Sequence, residues 1–318
     1  MKMSSLDRFL LLFTRPTLAD FYKKQQAALW TAQELDLSKD PADYTALKPE
    51  ERYFLDNVLA FFAAADGIVI ENIMVNFLKN CDWPEARAFW SVQAYIETVH
   101  AETYALLLTT LVRDTVKLDR LLHAAETIPS VAKKAQWSIK WMADESVSFI
   151  ERLVAFAVIE GVLFSSSFAC IYWFKKKGLL PGVTLSNEFI SRDEGLHADF
   201  ACALYRELGT PLPDERVVEI IKDGVSIEQE FVDDSLQVDL LGMNRLVMKE
   251  YVEVVANRLC SELNVDPVWP NAQCKLEFMD LLNLQSKTNF FESRSSNYQM
   301  AYAKDNTASA EFSINEEF

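Results

Sequence analysis

The stretch from Leu153 to Phe174, LVAFAVIEGVLFSSSFACIYWF, constrains the fold more than any other. It is apolar around every side of a helix and long enough to pass for a membrane span. Glu160 stands in its middle. A lone carboxylate at that depth in lipid is costly, whereas in the centre of a helical bundle it can face a cation. Lys175, Lys176 and Lys177 followed by Gly178 close the stretch as a helix C-terminus, with cations at the negative end of the dipole. The segment therefore reads as a core helix of a soluble protein rather than a membrane anchor.

The rest of the chain agrees with a helical interior. Half of its 318 residues are hydrophobic, so it can bury a large core. Glycine (8) and proline (10) are scarce, and apolar residues recur at helical spacing with few alternating runs. The fold class expected is all-α. A net charge of -16 argues against binding nucleic acid or anionic lipid, both of which attract basic surfaces. Five cysteines, an odd number with no CxxC pair, and an N-terminus without a small-residue cleavage site point to a reduced, cytoplasmic protein.

Periodicity predicts helices near 18–35, 49–79, 84–113, 117–126, 130–176, 184–208, 213–239 and 243–263, separated by breakers such as LSKDPADY, NCDWP and GLLPG. From about Ser286 onward the pattern is lost, and Ser, Asn and Thr accumulate. The expected organisation is a helical domain over 1–285 and a flexible tail over 286–318.

Histidine is rare: His100, His123 and His197. Two of these have glutamate three positions earlier, as Glu97-x-x-His100 and Glu194-x-x-His197. A separation of three turns a helical side chain by about 300°, which leaves both members of a pair on one face, near enough to share an ion. One such pair is unremarkable on a helix surface. These two are flanked by Val99, Tyr104, Leu107 and by Ile190, Phe200, Leu204, settings in which charge is paired or metal-bound. Two Glu-x-x-His helices plus one carboxylate from each of two further helices form the ligand set of ferritin-like dinuclear carboxylate proteins. The missing acids should be isolated in apolar helices, and Asp66 in FFAAADGIVI and Glu160 fit. Glu71 and Glu151 have polar neighbours and fit less well. Oxygen and imidazole donors without thiolate suit iron or manganese. Tyr104 returns to the face of His100 about 6 Å along the axis, which brings an oxidisable phenol beside the proposed metals. His123 lacks a glutamate partner and is read as an ordinary residue.

With these residues in place the chain resembles the radical-generating small subunit of class I ribonucleotide reductase, in its eukaryotic and viral-like branch. The similarity runs from about Phe21 to Phe318 through FYKKQQAALWTAQELDLSKD, FFAAADGIVIEN, ETVHAETYALLL, EGVLFSSSFACIYWFKKKGLLPG, SNEFISRDEGLHADFA and KTNFFESRSSNYQM. The resemblance implies a ferritin-like bundle with additional helices and two iron ions per chain, manganese being the other candidate. Asp66, Glu97 and His100 would form one metal site, and Glu160, Glu194 and His197 the other. Tyr104 falls where the family keeps its tyrosyl radical, with Phe164, Phe168 and Ile190 packed around it. Ala65 departs from the serine common at its position.

The same resemblance implies a radical path. Trp30 matches a near-surface tryptophan, Asp193 the carboxylate linking it to His100, and Tyr298 the tail tyrosine that relays to the large catalytic subunit. The closing FSINEEF resembles a peptide that docks on that subunit. A homodimer is expected, with O₂ as oxidant and nucleotide and reducing thiols on the partner, since this chain has neither a Gly-rich phosphate loop nor a cysteine pair. The alternative reading is a ferritin-like di-iron oxidase acting on its own small substrate.

Overall fold

A computed structural model of the chain describes residues 11–236, 243–276 and 278–279. The chain divides into two compact units, Met1–Glu277 and Phe278–Phe318, and every element below lies in the first. Among the described residues the secondary structure is helical apart from an isolated bridge residue at Met243, as the periodicity requires. In chain order the helices are α1 (Pro16–Ala27), α2 (Asp40–Ala46), α3 (Pro49–Asn72), α4 (Leu78–Asn80), α5 (Pro84–Leu111), α6 (Thr115–Leu122), α7 (Ala124–Thr127), α8 (Pro129–Ala143), α9 (Phe149–Val158), α10 (Ser165–Lys176), α11 (Pro181–Leu208), α12 (Asp214–Ser235) and α13 (Arg245–Glu262).

Local chemistry sets the ends. Pro16, Pro49, Pro84, Pro129 and Pro181 open five of the helices at the position where a missing N–H costs nothing. Asp114 accepts from the amides of Val116 and Lys117 to cap α6, and Asn244 caps α13 through Val247. Gly209, at φ 65°, ends α11 in the left-handed region that favours glycine. The carboxylate of Asp40 accepts from the amides of Gly182 and Val183 at 3.1 and 2.8 Å, so α2 caps the first turn of α11 from a distance in sequence.

Several expectations need correction. The helix expected over 18–35 ends at Ala27, with only a short 3₁₀ turn at Ala32–Glu34 beyond it. The helix expected over 130–176 is interrupted between Ala143 and Phe149. There Asp144 accepts from Ser146, and Ser148 forms a capping box with Glu151 that starts a new helix. The segment LSKDPADY, taken as a breaker, contains the start of α2. Two wide π turns also interrupt the helical ladder, at Ile73–Phe77 and Ile159–Leu163.

Helix α3 packs along α5, α9 packs along α11, and α1 lies across α5 and α11. These make a bundle, with α8, α12 and α13 layered outside α9 and its π turn. Both Pro49–Asn80 and Phe149–Lys176 are long and apolar enough to cross a membrane by length and composition. The second, however, has 94% of its most apolar window buried against protein. Its apolar faces are thus satisfied by neighbouring helices. Each large side chain so buried contributes about 1.5–3 kcal/mol relative to exposure.

Candidate metal centre

Four helical segments aim acids and imidazoles at the bundle centre: Asp66 from α3, Glu97 and His100 from α5, Glu160 from the π turn after α9, and Glu194 and His197 from α11. All six are essentially buried, with His100, His197 and Glu97 at 0% exposure. The sequence assigned them from two pairs and two isolated acids, and the fold brings all six together.

The grouping is more interwoven than two separate triads. Asp66, Glu97 and His100 can converge on one point, and Glu97, Glu160, Glu194 and His197 on another, each group's donor atoms lying within 4.8 Å of one another. Glu97 belongs to both. Its Oε2 lies 3.2 Å from His100 Nδ1 and its Oε1 2.9 Å from His197 Nδ1. Glu194 does the same from the other side, with Oε1 3.0 Å from His100 Nδ1 and Oε2 2.9 Å from His197 Nδ1. Two carboxylates that each reach both histidines tie the two donor groups together.

Crowding these buried acids drives the proton affinities of Asp66, Glu160 and Glu194 apart. Burial and then neighbouring glutamates hold Asp66 and Glu160 well above the usual carboxylate range. For Glu194 burial pushes upward too, but hydrogen bonding from Glu160 and the charge of the histidines outweigh it and hold it low. Burial alone would lower both histidines. Hydrogen bonds donated to Asp193, Glu194 and Glu97 raise His100, and the charges of Glu97 and Glu194 raise His197. So held, Asp66 and Glu160 favour their protonated forms. The buried Asp66 Oδ2 and Glu160 Oε2 have no hydrogen-bond partner among the described residues. Unpartnered buried carboxylate oxygens facing imidazoles suit a dinuclear metal site, in which cations replace the protons.

Around the six lies a second layer. Asp193 Oδ2 is 3.3 Å from His100 Nε2 and accepts from Trp30 Nε1 at 2.8 Å. The Trp30 indole also stacks on the His100 ring, with centroids 5.9 Å apart. The Arg192 guanidinium donates to Asp193 Oδ1 and to the carbonyl of Ala28. Burial works to raise Asp193, but Arg192, His100 and Trp30 hold it below the usual carboxylate range. Trp30 itself is 3% exposed and covered by Phe189, deeper than the near-surface position expected.

Tyr104 is also buried, and burial with the charges of Asp66, Glu194 and Glu97 pushes its phenol well above its ordinary value. Its hydroxyl has no hydrogen-bond partner among the described residues. Phe62, from α3, lies flat on the Tyr104 ring, and Phe164 and Phe168 pack on Phe62 at 5.8 and 5.0 Å. Ile190 is buried on α11. His123 sits exposed at the end of α6 and bonds its own helix through Asp119, as its isolation suggested. Tyr298 and the segment FSINEEF lie outside the described residues.

Sequence reasoning missed three participants. Gln25 of α1 places Nε2 2.9 Å from His197 Nε2. Gln93, one turn before Glu97, donates toward Glu97 and Glu160 at 3.3 and 3.2 Å. Phe62 supplies the stacking partner of Tyr104. The position of Gln93, four residues before Glu97, was the one available signal.

The family model described as ribonucleotide reductase, small chain, matches residues 9–275. A ribonucleoside-diphosphate reductase small chain from Nicotiana tabacum is 50% identical over 320 residues, covering 99% of this chain and 97% of that protein. The human ribonucleoside-diphosphate reductase subunit M2 is 48% identical, covering 93% of this chain and 76% of its own. Among solved structures, a ribonucleotide reductase homodimer from Saccharomyces cerevisiae superposes with TM-score 0.75 at 28% identity, over 86% of this chain and 88% of that one. The dimanganese(II)-NrdF of Streptococcus sanguinis shares the fold, with TM-score 0.75 at 18% identity over 87% of this chain and 99% of its own.

Proposed function

Because the chain belongs to the ribonucleotide reductase small-chain family, we propose that Tyr104 is the residue it oxidises and that Asp66, Glu97, His100, Glu160, Glu194 and His197 hold the metal pair beside it. The protein is a small subunit of ribonucleoside-diphosphate reductase, a dinuclear iron or manganese enzyme that works with a large subunit. The reading proposed in addition is two irons per chain, a homodimer, and docking to the large subunit through the C-terminal segment. The observation that carries it is the pair of interlocking donor groups sharing Glu97, two helix turns before a buried phenol with no hydrogen-bond partner among the described residues.

When bound, the metal pair supplies the electrons that reduce O₂ and so the oxidising power needed at a phenol. The chain's own residues do the remainder. Glu97 and Glu194 tie the two donor groups that would hold the metals together, because each carboxylate reaches both histidines. Tyr104 would supply one electron and, with it, its Oη proton to that reduction of O₂, and be left as a neutral radical. Phe62, Phe164 and Phe168 keep water and reductants from that ring. Asp193 fixes the orientation of His100 and offers Oδ2 to the proton of Trp30 Nε1, so that Trp30 can pass an electron without stranding a buried positive charge. Tyr298 then carries the radical equivalent toward the large subunit.

The test is electron paramagnetic resonance after adding Fe(II) and O₂ to the metal-free protein. A narrow tyrosyl signal should form, and Tyr104→Phe should abolish it together with ribonucleotide reduction while both irons still bind. A Tyr104→Phe protein that kept the signal and full activity would overturn the assignment. An oxidase acting on its own small substrate would instead turn over without the large subunit.

A further inference from the structure

Outside the metal centre, the most unusual buried group is Lys134 of α8. Its side chain is 0% exposed, and its Nζ lies 2.7 Å from Glu228 Oε2, itself 0% exposed, on α12. The ammonium also sits 3.3 Å from the centre of the Phe61 ring and 4.0 Å from that of Phe231. A charge pair so thoroughly desolvated contributes little to stability compared with apolar residues of the same size. A structural role for the pair therefore has to be sought in what its other atoms touch.

Glu228 Oε1 accepts from both the amide and the hydroxyl of Ser166, at 3.1 and 2.5 Å. Ser166 stands in the first turn of α10, immediately after the π turn Ile159–Leu163 that carries Glu160. A π turn breaks the regular ladder, and the first amides of the helix that follows need partners from elsewhere. Glu228 provides one, entirely within the core. On the other flank of the π turn, Gly224 lies one helical turn earlier on α12 and packs so closely on Val158 that an added Cβ would collide with its side chain. Trp137 Nε1 of α8 donates to Asp223 Oδ2 at 2.8 Å and ties α8 to the same stretch of α12.

We infer that Glu228, held in place by Lys134, is a positioning residue for Glu160: α12 grips the π turn before it at Val158 and after it at Ser166, and thereby sets how far the Glu160 carboxylate reaches into the metal centre. This rests on Glu160 being a metal ligand. Lys134 neutralises Glu228, the apolar cage of Phe61 and Phe231 keeps the pair dry, and Glu228 spends its second oxygen on the helix backbone. Neither residue touches the proposed ligands.

The experiment is a Mn(II) titration of the metal-free protein followed by electron paramagnetic resonance, which separates coupled ion pairs from single ions. Wild type should take up two coupled ions per chain. In the double variant Lys134→Met/Glu228→Met the acceptor for Ser166 is gone, and the group containing Glu160 should lose affinity on the order of 10–100-fold, leaving mainly uncoupled ions. In Lys134→Met/Glu228→Gln the amide oxygen can still accept from Ser166, and coupled binding should return. Ser166→Ala removes only the hydroxyl contact and should give a smaller loss in the same direction, even if the methionine double variant does not fold. Coupled binding of wild-type affinity in Ser166→Ala and in the methionine variant, or equal loss in both double variants, would overturn the inference. Failure of wild type to bind two coupled ions would instead overturn the ligand assignment on which it rests.

Discussion

Phe62 lies face to face with Tyr104, the ring centroids 4.7 Å apart and the planes 6° from parallel. The contact closes one side of the phenol with a group that can neither give a hydrogen bond nor admit water. Phe62→Ala should therefore leave radical formation possible and shorten its survival. The decay of the tyrosyl signal in the presence of a small phenolic or hydroxamate reductant measures this, and an unchanged half-life would remove Phe62 from the protective shell. The same truncation should cost about 3–5 kcal/mol in denaturant unfolding, as for a large aromatic removed from a packed core.

Trp30 and Asp193 can be separated from the metals by their effects. Trp30→Phe keeps the ring stacked on His100 and loses the Nε1 donor to Asp193 Oδ2. It should form the tyrosyl radical normally and lose ribonucleotide reduction with the large subunit by several orders of magnitude. Asp193→Asn acts earlier, because His100 Nε2 loses its charged acceptor and the Arg192 guanidinium one of its acceptors. Its metal affinity should fall on the order of 10–100-fold. Normal turnover in Trp30→Phe would end the relay reading.

The candidate site was legible in the sequence because its proposed ligands are chemically rare in their surroundings. There are 3 histidines in the chain, and two of them repeat the same spacing to glutamate. Asp66 and Glu160 were visible as acids in apolar helices. The sharing of Glu97 and Glu194 between both histidines was not, since it depends on how α5 and α11 face each other rather than on either sequence. Phe62 is one of 21 phenylalanines, so residue type could not single it out. Gln25 and Gln93 are uncharged and their burial raises no electrostatic alarm. The π turn at Ile159–Leu163 leaves no mark in a segment apolar on all sides. The break after Ala143 did leave one, the Ser148-x-x-Glu151 capping box, obscured by the apolar run that follows it.

Metal and protons compete for the same atoms, and the sign of the pH dependence follows. His100 and His197 have folded values raised well above 6.5 in the metal-free chain. Their contribution to its stability is present below about pH 6.5 and is lost as pH rises through the folded values. The raised acids Asp66 and Glu160 act in the same direction from a lower starting pH. The melting temperature of the metal-free protein should therefore fall as pH rises from about 6.5. Metal requires neutral imidazole and ionised carboxylate, so Mn(II) affinity should rise over the same range, with protons released on binding. Calorimetry in buffers of different ionisation enthalpy counts those protons, and a proton count of zero would contradict the arrangement.

The Lys134–Glu228 pair makes an opposite demand. Burial pulls Lys134 down to about 8, with Glu228 working against the fall. A lysine depressed below its unfolded value of about 10.4 costs the folded state stability as pH drops from that value toward 8, where both states become charged. Replacing the pair by Lys134→Met/Glu228→Gln removes that penalty. It should be neutral or stabilising by about 1–4 kcal/mol near neutral pH, and it should flatten the alkaline part of the stability profile. Lys134→Met alone leaves Glu228 charged in the core with only Ser166 as a partner, and should lose about 3–5 kcal/mol. Denaturant midpoints of the three proteins measured at pH 7 and pH 9.5 decide this. A double variant less stable than Lys134→Met would mean that the two charges stabilise the folded state through something other than each other.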